Sequence, residues 1–220
     1  MTALSADQAI KVALSAARVG TYEAATTAMP ILPGALALYS WNAQVSAALM
    51  APLHICEVVV RNAVSDAIEA IYGPRWPWNK AFLRSLPNPS TGFNPRQDLA
   101  NVGKKYATTG KVIPELKFVF WQKMFTGRFD GDIWNVHLRA VFPHLNPDTN
   151  VQGLRKLIHD ELEKLRLLRN RIAHHEPIFS RNLASDFQNV QDLISFRCSH
   201  TVAWMVANQN ATALIGAPPS

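Results

Sequence analysis

The chain has 220 residues, 22 Lys+Arg against 16 Asp+Glu, and a formal net charge of +6, with 48% hydrophobic and 17% charged residues. This length fits one domain or two small ones, and the apolar content excludes a disordered chain. Cys56 and Cys198 are the only cysteines, which excludes a disulfide scaffold and suits a reducing, cytoplasmic setting.

The first 20 residues lack a basic segment followed by an apolar one, so no secretory leader is expected. The most apolar stretch, 45–60, is interrupted by Pro52, His54 and Glu57, so no membrane span is expected.

Helical periodicity runs through the chain. Ser5 can cap a first helix that Gly20 ends, and Thr21 opens a short segment that stops at Met29-Pro30. Ile31-Leu32-Pro33-Gly34 reads as a turn, followed by helices over 35–50 and 53–72 and a stop at Gly73-Pro74. Residues 74–95 carry prolines 74, 77, 87, 89 and 95 around a helical piece at 80–86. Trp76, Trp78, Phe82 and Phe93 need packing partners, so this region is not a linker. Further helices are expected over 96–106, 115–126 and 132–141.

The strongest helix starts at Thr149, which has capping-box spacing with Gln152. Its stripe is Val151, Leu154, Ile158, Leu162, Leu165, Leu168 and Ile172, and Pro177 stops it. Ser185 and Gln188 repeat that spacing before a last helix reaching about Ala207, with 208–220 a frayed, flexible tail. No strand or repeat is expected, so the chain reads as one all-α domain over 1–207.

The run most suited to chemistry lies at the end of the strongest helix: Arg169, Asn170, Arg171, Ile172, Ala173, His174, His175, Glu176, Pro177. Asn170 and His174 share a helical face, while Arg169 is rotated from His174 by roughly 140°. Imidazole moves protons near neutral pH, guanidinium stabilises phosphoryl charge, and a carboxamide orients both. The same residues can instead simply complement the helix dipole. A second set, Glu57, Arg61 and Asn62, places an i, i+4 charged pair in an apolar helix.

Metal-ligand spacings, phosphate loops and dinucleotide fingerprints are absent, so no metal or cofactor is expected. Trp121 and Trp134 read as core or interface residues before base-stacking ones.

In order along the chain, Tyr39-Ser40-Trp41-Asn42, Glu57-x3-Arg61-Asn62-Ala63, Gly73-x2-Trp76, Glu115-Leu116-x-Phe118-x-Phe120-Trp121, Trp134, Phe142-Pro143 and the run from Arg169 to Phe179 resemble the Abi-like (abortive-infection) branch of the HEPN superfamily. The resemblance spans about residues 39–196 and is anchored by Arg-x4-His at Arg169 and His174.

It implies a HEPN-like helical bundle, with 1–38 a helical N-terminal extension that carries no landmark of the family. It also implies a homodimer whose motifs share a cleft, and a metal-independent endoribonuclease of a phage-defence or toxin-type system, with an antitoxin protein as a possible partner. Arg169 and His174 would then be catalytic and Asn170 orienting. His175 would replace or assist His174, and Glu57, Arg61 and Asn62 would line the cleft or lock the central helices. The alternative is a catalytically silent HEPN module that binds RNA or a protein.

Residues 151–181 hold seven Lys/Arg (155, 156, 164, 166, 169, 171, 181) against four acids (160, 161, 163, 176), so half the net charge coincides with this motif.

Overall fold

A computed structural model describes residues 4–219, which form twelve α-helices and no strand. Ser5 caps α1 (Ala6–Leu14), its Oγ accepting from Gln8 N. The helix stops at Ser15 (φ 78°) rather than at Gly20, and α2 (Ala16–Glu23) follows at once. Lys11 and Glu23, 2.7 Å apart, tie α1 to α2. Val19 and Tyr22 of α2 pack with Ala35, Leu36 and Tyr39 in a small cluster apart from the main core.

The central element is α3 (Ile31–Tyr72), 42 residues long, where two helices and a preceding turn were expected. Pro33 lies in its first turn, where backbone N–H groups lack helical partners anyway. Gly34 lies where a Cβ would meet the Ala28 Cβ at 2.5 Å, so glycine permits close approach of the preceding segment. Pro52 removes one bond at a cost of about 3 kcal/mol. Burial of Leu49, Pro52, Leu53 and Cys56 carries the helix through it.

Part of α3, with mean hydropathy 1.5 over 18 residues, is long and apolar enough to cross a membrane by length and composition, contrary to expectation from 45–60 alone. Of that stretch 33% is buried in the protein, and towards the C-terminal end of α3 Val60, Val64, Ala67 and Ile68 are fully enclosed in the core. Gly73 (φ 81°) ends it, donating to Glu69 O.

The proline-rich region is packed. Trp76 and Phe82 are fully buried, and Trp76 Nε1 donates to Ser65 Oγ at 3.1 Å. Asn79 caps α4 (Lys80–Ser85), and α5 (Pro95–Lys105) and α6 (Thr109–Val112) follow. Pro114 occupies a separate 3-10 turn and Leu116 is extended, so the helix expected over 115–126 shrinks to α7 (Phe118–Met124). A π turn over Asp130–Trp134 leads into α8 (Asn135–Val141). Trp121 and Trp134 are wholly buried in the core.

Asn150 rather than Thr149 caps α9 (Val151–Ala173), its Oδ1 accepting from Gly153 N at 2.7 Å. Asn182 rather than Ser185 caps α10 (Leu183–Arg197) in the same way, and extended Cys198 separates it from α11 (Ser199–Ala207). The C-terminal segment contains α12 (Ala211–Ile215) where a frayed tail was expected. It packs on α3, with Ala211 buried and Trp41 Nε1 donating to Leu214 O at 2.8 Å.

Candidate functional site

Burial of Leu154, Ile158, Leu162, Leu165, Leu168 and Ile172 fixes the rotation of α9 and leaves Arg169 exposed. The helix ends in a Schellman arrangement: His175 N–H donates to Ile172 O at 3.0 Å and Glu176 N–H to Arg171 O at 2.8 Å. The left-handed position, usually glycine, is His175 (φ 56°), at a cost on the order of 1 kcal/mol.

Two distant groups and one local one hold the turn. Arg18 Nη1 donates to His175 O at 2.9 Å, Arg171 donates to Pro177 O through Nε and Nη2, and buried Asn42 Oδ1 accepts from Ile178 N at 2.8 Å. The turn therefore sends the two adjacent imidazoles to different places.

His174 lines a recess of about 350 Å³ with Asn170, Arg171, Glu176, Arg181 and Leu167. Arg181 is itself braced by two bonds to Asp186, at 2.8 and 2.7 Å. His175 instead lines a cavity of about 560 Å³ between α2, α3 and the end of α9. The structure thus brings Asn170 and His174 together, adds Arg171 and Arg181, and places His175 outside that recess. Arg169 does not line the recess either.

The basic excess resolves into pairs. Arg155 stands 2.7 Å from Asp130, Lys164 2.8 Å from Glu161, Arg166 2.6 Å from Glu163, Arg181 2.7 Å from Asp186 and Arg171 3.6 Å from Glu176, while Lys156 pairs with Asp160. Among the described residues, Arg169 alone of the seven cations has neither a carboxylate nor a hydrogen-bond partner. Asp130 and Asp186 reach the segment from outside it or across a turn, which a local charge count misses.

Glu57, Arg61 and Asn62 do not join this site. Glu57 and Arg61 are half-buried on α3 and form no ion pair with each other, and Arg61 Nε is sealed from solvent without a partner among the described residues. Asn42 anchors the α9 turn, and Glu57 lies about four turns (22 Å) further along α3. Within one chain Glu57 and Arg61 are half-buried, Asn62 is exposed, and none of the three lines the His174 recess.

Sequence reasoning gave the larger cavity no part in the site. Its wall includes Tyr22, Tyr39 and Asn42, and Arg18 stands at its mouth. Burial raises the Tyr22 hydroxyl above the usual range, with Tyr39 adding to the rise and Arg18 opposing it. No group of three or more His, Cys, Asp or Glu among the described residues is placed to hold a metal ion. In comparisons with known proteins, no family model, curated protein or solved structure matches the chain.

Proposed function

We propose that the protein is a metal-independent endoribonuclease of the Abi-like HEPN type, acting in the cytoplasm as a homodimer. The observation that carries this reading is the exposed Arg169, unpaired among the described residues, on the same helix end as a recess lined by His174 and Asn170. An unpaired guanidinium on a basic segment is free to bind a phosphate, and the recess supplies a group able to move a proton.

In the reaction, His174 takes the proton of the RNA 2′-OH and the 2′-oxygen attacks the adjacent phosphorus. The bond to the 5′-oxygen breaks, and that oxygen takes a proton from solvent water as it leaves. The products are a 2′,3′-cyclic phosphate and a 5′-OH end. Arg169 offsets the negative charge that grows on the phosphoryl oxygens, and the neighbouring 2′-OH makes a metal-bound hydroxide unnecessary. Because Arg169 lies outside the His174 recess of its own chain, the working pair is formed across a two-fold axis, with Arg169 of one copy beside the recess of the other.

The same separation favours a second reading, in which the chain is a silent HEPN module that binds RNA or a protein such as an antitoxin. Incubating end-labelled RNA with the protein in EDTA decides between them. The enzyme yields cyclic-phosphate ends and loses activity in Arg169→Ala and His174→Ala; bound but intact RNA selects the module.

A further inference from the structure

We propose that the cavity between α2, α3 and the end of α9 binds one nucleotide unit, with the base inside and the phosphate at Arg18. Its volume, about 560 Å³, suits a ligand of that size. Tyr22 and Tyr39, with ring centroids 4.8 Å apart, together with Met50 and Ile172, provide an aromatic and aliphatic wall for a planar heterocycle.

The depth of the cavity is polar in a specific way. Tyr22 is 2% exposed and its hydroxyl has no hydrogen-bond partner among the described residues. Asn42 is 6% exposed; its Oδ1 is committed to Ile178 N, and Nδ2 has no partner among the described residues. Neither atom is sealed from solvent, so both open on the cavity they line. An aliphatic ligand would strand these groups at a desolvation cost, whereas a base edge carries acceptors for them.

At the mouth, Arg18 is exposed and has no carboxylate within ion-pair distance among the described residues. One of its nitrogens holds His175 O, and the others remain for a phosphate.

Glu176 lines both this cavity and the His174 recess, so the two lie on either side of a single turn. A strand crossing that turn can place its scissile phosphate at the recess and a neighbouring base in the cavity. The RNA form of the ligand rests on the ribonuclease reading; a free mononucleotide offers the same chemistry without it. The site also gives residues 1–38 a task, since Arg18 and Tyr22 both come from α2.

The test uses the full chain carrying His174→Ala, so that RNA is not consumed, with ¹³C-methyl methionine. Met50 lines the cavity, whereas Met124 and Met205 are buried in the main core and serve as references. The probes are the four 5′-mononucleotides and, separately, a short single-stranded RNA.

The expected result is a shift at Met50 but not at Met124 or Met205. Ala47→Trp, which plugs an exposed part of the wall, weakens binding by about tenfold or more. Tyr22→Phe keeps the packed ring, loses the hydroxyl and weakens binding about threefold to tenfold. A response to mononucleotides only, or to RNA only, identifies the source and supports the site.

A silent Met50 with both probes overturns the proposal, as does unchanged affinity in both cavity variants. If the wild type cuts RNA while Met50 stays silent, the cavity proposal falls and the ribonuclease stands. If Met50 responds and the wild type cuts nothing, the reverse holds.

Discussion

At the scale of single residues, neighbours decide what each titratable side chain can do. Cys56 is fully buried among core side chains, and burial pushes its thiol up to about 12. Cys198 is partly exposed, and hydrogen bonding from the Thr201 side chain and backbone lowers its thiol below the ordinary value. A thiol reagent at neutral pH should therefore modify one cysteine in the native protein. Cys198→Ser should abolish that modification, and its survival in Cys198→Ser but not Cys56→Ser would contradict the assignment. His175 shows the same dependence on context in its backbone. It holds a left-handed conformation, and its carbonyl accepts a hydrogen bond from Arg18, 157 residues away in sequence. A partner at that separation leaves no local trace, so the sequence offers no reason to separate His175 from His174.

At the scale of elements, the apolar stripe of α9 was legible because its period survives any choice of neighbours. The continuity of α3 was not. A proline penalty is local and easily read, while the burial that overcomes it at Pro52 comes from segments distant in sequence. The caps moved to Asn150 and Asn182 for a smaller reason: Asn caps as well as Ser or Thr, so spacing alone does not choose between candidates within a few residues of each other. Two measurements test the element-scale packing. The Asp186 carboxylate, with its side chain only 7% exposed, depends on Arg181, so Arg181→Ala should cost about 2–4 kcal/mol in chemical denaturation. Arg181→Met with Asp186→Leu should recover most of that loss. On the outer face of α9, hydrogen bonding from Arg166 holds the Glu163 carboxyl below its ordinary range, and Lys156 and then His159 do the same for Asp160. A carboxyl lowered in the folded state stabilises at neutral pH, and that stabilisation is lost as the pH falls through and below the ordinary carboxylate range. Both groups are largely solvated, so the pairs together are worth no more than about 1 kcal/mol. Glu163→Gln with Asp160→Asn should lower stability at and above neutral pH by that amount, converge with the wild type in acid and leave the slope above pH 7 unchanged.

At the scale of the whole molecule, the net charge of +6 becomes specific only when each cation is assigned a partner. Six of the seven in residues 151–181 are paired, which concentrates the unpaired charge of that segment at Arg169. The motif itself was legible in the sequence. A rotation of roughly 140° between Arg169 and His174 follows from helical spacing, and Arg169 lies outside the recess; the parting of His175 from His174 does not follow from spacing, because Arg18 and Asn42 reach the turn from distant helices. The proposed ribonuclease therefore depends on two copies, and the most direct test mixes two disabled chains. Arg169→Ala and His174→Ala, each alone in EDTA, should cut RNA at least about 100-fold more slowly than the wild type. Unfolded and refolded together, they should recover about a quarter of wild-type activity, since half the dimers are mixed and one of their two Arg–His pairings is intact. Cutting at the wild-type rate by either variant alone would contradict the account.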